Sequence, residues 1–145
     1  MIVSVPAIVA ALAGGAAICL QSLFSGTLGE RVGVMGSVFV IHAGGLLLAA
    51  LFILGTRGGA LAAWRSVPWY ALCAGFLGVG IVAAVSYTVP RLGLAATLTL
   101  TIVAQLVLGA VLDHFGWLGA GPRPFDASRA AGMGVLLVGT WLMLR

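Results

Sequence analysis

The sequence predicts an all-α integral membrane protein with five transmembrane helices, and three observations predict it. Hydrophobic residues make up 62% of the 145 positions and charged residues 7%, with a mean hydropathy of +1.23. A soluble domain carries roughly 25% charged residues, so in water this chain could not cover its surface with polar groups. Apolar runs recur at close to the roughly 20 residues a spanning helix needs. Between the runs lie short segments that hold most of the arginine and proline. Five such helices occupy roughly 100 residues, which leaves no soluble domain of any size and excludes most enzymes with a water-exposed active site. Residues 1–145 read as a single five-helix domain, multi-pass in the cytoplasmic membrane.

Span 1 runs from about Val3 to Leu28, with Pro6 in the first turn, where its missing N–H costs little. The alternative for residues 1–26 is a secretory signal peptide. The run is longer than a signal core, no Lys or Arg precedes it, and the rest of the chain needs a membrane anyway. Glu30-Arg31 form a charged turn, and span 2 follows from about Val32 to Leu54. The stretch "GTRGGALAAWRSVP" then breaks the pattern with glycines, arginines and a proline. Within it Leu61 to Arg65 suit the membrane interface, with Trp64, Trp69 and Tyr70 as headgroup anchors. Span 3 runs from about Pro68 to Val89, Pro90-Arg91 make a tight turn, and span 4 runs from about Leu92 to Leu112. The glycine- and proline-rich "DHFGWLGAGPRPFD" is loop. Asp126 or Ser128 caps span 5, which runs from about Ala127 to Leu144.

The basic residues are all arginines: Arg31, Arg57, Arg65, Arg91, Arg123, Arg129 and Arg145. They stand singly between apolar runs and form no stripe that could follow a phosphate backbone, so nucleic acid is not an expected partner. They read instead as topology markers. The tight-turn side carries Arg31, Arg91 and Arg145, and the long-loop side carries Arg57, Arg65, Arg123 and Arg129. The positive-inside rule orients a protein through the difference between sides, and here the difference is nearly nil. An odd span count with balanced charge suits a chain that inserts both ways up. Two copies, one inverted, would form an antiparallel homodimer of ten helices, following the inverted-repeat logic of secondary transporters. Cys19 and Cys73 lie in apolar runs with no metal spacing, and no cofactor, metal or catalytic set is expected.

At 1.5 Å rise per residue, most of the polar side chains inside the spans fall in the half nearer the tight turns. His42, Thr101 and Gln105 fall near mid-depth. Thr97, Thr101 and Gln105 share one face of span 4 at four-residue spacing, and Gln21 and Ser25 share one face of span 1. A buried amide without a partner costs about 2–7 kcal/mol, so Gln105 must face another polar helix surface or water. Interhelical hydrogen bonding, averaging only about 0.6 kcal/mol per pair, is the plain alternative for the set. His42, the one ionisable side chain near mid-span, suits proton coupling or a neutral structural role. No carboxylate lies mid-span to exchange a proton for a cation. Asp113 and His114 sit where span 4 leaves the lipid, either as an ordinary helix end or as a gate. Pairs of small residues four apart, Ala10 with Gly14, Ala74 with Gly78 and Ala130 with Gly134, suit close helix contact.

The stretch from Pro68 to Gly119 resembles the YdcZ-type family of the drug/metabolite transporter superfamily. The resemblance rests on Pro68-Trp69-Tyr70, on Gly75 and Gly78, and on Ala104-Gln105-Leu106 followed by Asp113-His114-Phe115-Gly116. Gln21 also fits, whereas Ser25-Gly26 stand where many relatives place an asparagine. The resemblance implies a five-helix half of a ten-helix drug/metabolite-transporter-like fold, completed by an inverted second copy. The expected function is movement of a small solute by alternating access. Gln21, Ser25, His42, Tyr87, Thr97, Thr101 and Gln105 are the pathway candidates, with Asp113 and His114 at the membrane edge. The expected partners are lipid, a second copy and an unidentified solute. A non-transporting scaffold subunit and a dimeric channel are the alternatives.

Overall fold

The computed structural model describes residues 4–56, 59–119 and 121–145. Val3, where the sequence begins its first span, and Arg57, counted on the long-loop side, lie outside them. The described residues contain helices and no strand: α1 (Val5–Gly55), a 3-10 helix (Gly59–Ser66), α2 (Trp69–Leu72), α3 (Ala74–Leu92), α4 (Leu94–Phe115), a short 3-10 turn (Trp117–Gly119) and α5 (Ala127–Met143). They form two compact units, Met1–Arg91 and Leu92–Arg145.

Helix α1 has 51 residues, about 76 Å if it were straight, against a hydrocarbon core of about 30 Å. It is not straight. Gly33, at φ 79° and ψ 162°, breaks it into two arms, residues 5–32 and 34–55. The arms fold back on each other, since the Ser37 hydroxyl reaches the Ser25 carbonyl at 3.1 Å, although twelve residues of straight helix would separate them by about 18 Å. Glu30 and Arg31, which the sequence marks as the turn, are still helical. The reversal comes at Gly33 because that backbone region is nearly closed to any residue with a β-carbon. Gly93, at φ 83° and ψ 160°, repeats the conformation between α3 and α4. Pro90 and Arg91 likewise remain inside α3. Each break is the third residue of an Arg-apolar-Gly triplet, Arg31-Val32-Gly33 and Arg91-Leu92-Gly93. Asp126 caps α5 by accepting from the Arg129 N–H at 2.8 Å.

Among the described residues, three helical segments are long and apolar enough to cross a membrane, namely Val5–Gly55, Trp69–Leu92 and Leu94–Phe115, and the apolar α5 has 17 residues. Among the described residues, the buried apolar side chains are Val38, Val82, Val85 and Val89, while six serines and threonines are buried. Leu12, Phe39, Leu46 and Phe76 are 70–79% exposed. A protein folding in water would bury such side chains, each for about 1.5–3 kcal/mol. Here hydroxyls are inside and leucines outside, which is the arrangement that lipid favours.

Candidate functional site

In the first unit the polar residues converge beside the Gly33 turn. Ser22, Ser25, Gly26 and Gly29 make one small-residue face on the first arm of α1, and it packs on α3. A β-carbon at Gly26 would stand 2.6 Å from Val89 Cγ1, and one at Gly29 would stand 2.6 Å from the Ser86 carbonyl oxygen. Four residues beyond Ser86 stands Pro90, which has no N–H to offer that carbonyl, and Gly29 lies against the oxygen it leaves. These glycines make the close approach. Gly14 and Gly134, which the sequence singled out, meet nothing within 4 Å.

That approach lets three serines meet. Ser25, Ser37 and Ser86 are 1%, 0% and 2% exposed. The Ser25 and Ser86 hydroxyls are 2.7 Å apart, and Ser86 reaches Ser37 at 2.9 Å and the Val82 carbonyl at 2.7 Å. One donor assignment satisfies all three. Ser37 donates to the Ser25 carbonyl, Ser25 donates to Ser86, and Ser86 donates to Ser37 or to Val82. Every hydroxyl proton is used inside the protein, so Ser25, a pathway candidate, has its donor committed to packing.

The other candidates of this unit keep free capacity. Gln21 is exposed and makes no hydrogen bond among the described residues. Tyr87 is 51% exposed. The Arg91 guanidinium lies 3.7 Å from its ring centroid and donates to the Tyr87 carbonyl at 2.6 Å. His42 Nδ1 lies 2.8 Å from the Val38 carbonyl. A carbonyl only accepts, so Nδ1 carries the proton and Nε2 is left as the free atom. It faces Gly78, where an added β-carbon would stand 3.3 Å away. Gly78 therefore admits an imidazole rather than a helix backbone. A cleft of about 410 Å³ opens beside the serines, lined by Glu30, Gly33, Pro90 and Arg91 among others.

In the second unit Thr97, Thr101 and Gln105 follow one another up α4. Thr101 donates to the Thr97 carbonyl at 2.8 Å, a bond back to its own helix. Thr97 is 3% exposed, and its hydroxyl has no partner among the described residues. Gln105 is exposed, and its amide makes no hydrogen bond among them. Asp113 and His114, at the other end of α4, tie down the following loop. The Asp113 carbonyl accepts from the Arg123 N–H at 2.7 Å, and its carboxylate lies 3.7 Å from Arg129. His114 Nδ1 accepts from the Phe125 N–H at 3.2 Å. The sequence signal for this was the turn chemistry of the loop, which does not reveal that a histidine replaces a backbone acceptor.

Residues 6–142 match the profile of the family described as "Putative inner membrane exporter, YdcZ". The chain belongs to this family. A YdcZ-family description names an exporter of the inner membrane, which makes the chain a membrane protein and supports a transporter in general rather than an enzyme. Neither a curated protein nor a solved structure matches the chain.

Proposed function

We propose that this YdcZ-family chain moves a small solute across the cytoplasmic membrane by alternating access, as five spans per copy in an antiparallel, dual-topology homodimer. One observation carries the reading. Each unit exposes a glutamine amide, Gln21 or Gln105, on a largely apolar helix, without a partner of its own among the described residues. Facing lipid, each would cost about 2–7 kcal/mol. A second copy and a wet cleft between copies remove that cost. The near-balance of arginines across the two sides supports insertion both ways up.

In this reading the serine trio holds the first unit together, and the free groups line the path: the Gln21 and Gln105 amides, His42 Nε2 and the Tyr87 ring. The Thr97 hydroxyl, unpaired among the described residues but buried, joins them only when the packing around it opens. Tyr87 already holds a guanidinium on its face, so it suits a cationic or planar solute. Glutamines and threonines both donate and accept, and His42 Nε2 accepts while the Nδ1 proton stays on the Val38 carbonyl, so these groups can orient a polar solute. Asp113 and His114 anchor the far loop, and Thr101 supports Thr97. Saturable flux with counter-transport identifies a carrier; non-saturating flux identifies a channel.

A pair of C-terminal reporter fusions tests the assembly, one active only in the cytoplasm and one only outside it. Activity of both, in a strain lacking homologues, is expected. Activity of only one ends the dual-topology dimer and favours a scaffold of fixed orientation. Gln105→Leu tests the pathway in a strain where the wild-type chain gives measurable efflux. Efflux is abolished while the amount of dimer is unchanged; unaltered efflux would assign Gln105 to packing.

A further inference from the structure

The second unit has a feature that transport chemistry leaves unused. A groove of about 440 Å³ runs between α4 and α5, and an adjoining cavity of about 530 Å³ shares Ala110, Phe125 and Met133 with it. Both volumes lie in the roughly 300–1,000 Å³ range of small-molecule sites. Polarity along the groove is one-sided. Asp113 and Arg129 stand at one end, and Leu106 and Leu136 stand at the other, about 10 Å further along the helices. Gly109 and Gly132 form part of the wall, and a β-carbon on either would meet nothing within 4 Å. The space beside them is therefore open to an occupant.

We infer that this groove binds a zwitterionic phospholipid of the surrounding bilayer, its headgroup on the Asp113–Arg129 pair and one acyl chain along Gly109 and Gly132. The charges select the class. Arg129 and Asp113 lie 3.7 Å apart with side chains 35% and 40% exposed, so a cation and an anion are presented side by side. A phosphate can take the guanidinium while an ammonium takes the carboxylate. A head of single sign would meet one attraction and one repulsion. The apolar end rejects a wholly polar solute, and the one-ended charge sets the orientation a membrane lipid already has. The inference stands independently of the transport reading, because occupancy needs no flux.

The test reconstitutes the full chain in phosphatidylcholine vesicles that carry a trace of phosphatidylcholine with a photoactivatable diazirine in its acyl chain. Crosslinks are mapped by mass spectrometry. Labelling concentrated on residues 106–113 and 129–136 is expected. Gly132→Leu or Gly109→Leu, each projecting into open space, should lower it roughly tenfold. Gly14→Leu, on a glycine equally free of neighbours, should leave it unchanged. Arg129→Gln should weaken labelling by the phosphatidylcholine probe and spare a diacylglycerol diazirine that has no charged head. Labelling spread evenly over the exposed helix faces overturns the inference, and so does equal loss of both probes in Arg129→Gln. A Gly132→Cys variant that forms a disulfide between copies and excludes the probe also overturns it, by giving the groove to a second copy.

Discussion

Ser86 on α3 and Thr97 on α4 are alike in sequence, each a hydroxyl on an apolar helix near a tight turn, and both are buried. Ser86 lies within 2.9 Å of three oxygens, whereas the Thr97 hydroxyl has no partner among the described residues. The first unit uses its hydroxyls to join helices, and the second leaves one unsatisfied. Spacing along a helix says which side chains share a face. Whether that face meets a partner depends on how near the neighbouring backbone can come, and that depends on Gly26, Gly29 and the carbonyl that Pro90 leaves without its N–H.

Four substitutions sharpen or break this contrast. Gly29→Leu should have the largest effect, because its β-carbon would lie 2.6 Å from a backbone oxygen that cannot rotate away. A loss of about 3 kcal/mol or more should appear as a collapse of monodisperse protein in size-exclusion profiles. Gly33→Ala comes next. It meets no neighbour but forces alanine to φ 79°, at about 1–3 kcal/mol, read as a lowered Tm in detergent. Ser86→Ala removes the hub of the serine trio. It should cost about 1 kcal/mol, within the range of hydrogen bonds between membrane helices, and the denaturation midpoint in SDS should fall accordingly. Thr97→Val should be neutral or stabilising by up to about 1 kcal/mol, since it deletes an unpaired buried hydroxyl. A clear loss of stability in Thr97→Val would mean that the hydroxyl has a structural partner and would erase the contrast.

The solvent, the apolar helical runs and the Asp126 cap were legible because composition, hydropathy and capping chemistry are local properties. The turn positions were legible only to within a few residues. Charge marks the neighbourhood of each turn at Glu30-Arg31 and Arg91, but the backbone reverses at Gly33, whose extended positive-φ conformation suits glycine, and Gly93 repeats that conformation. The candidate residues could be named from the sequence, but the difference in their surroundings was hidden. Ser25 and Gln21 share a face of α1 by spacing, yet Ser25 is enclosed and Gln21 is bare. The purpose of Gly78 was equally hidden, because a small residue opposite an imidazole looks in sequence like one opposite a helix.

The interlocked hydroxyls of Ser25, Ser37 and Ser86 carry a mechanical consequence. Separating the first arm of α1 from α3 would take the Ser25 hydroxyl away from the Ser86 oxygen that accepts its proton, while the Ser37 proton would hold the second arm to the first through the Ser25 carbonyl. The three segments are thus tied to one another, and a rocking motion that keeps these bonds would hinge elsewhere in the chain.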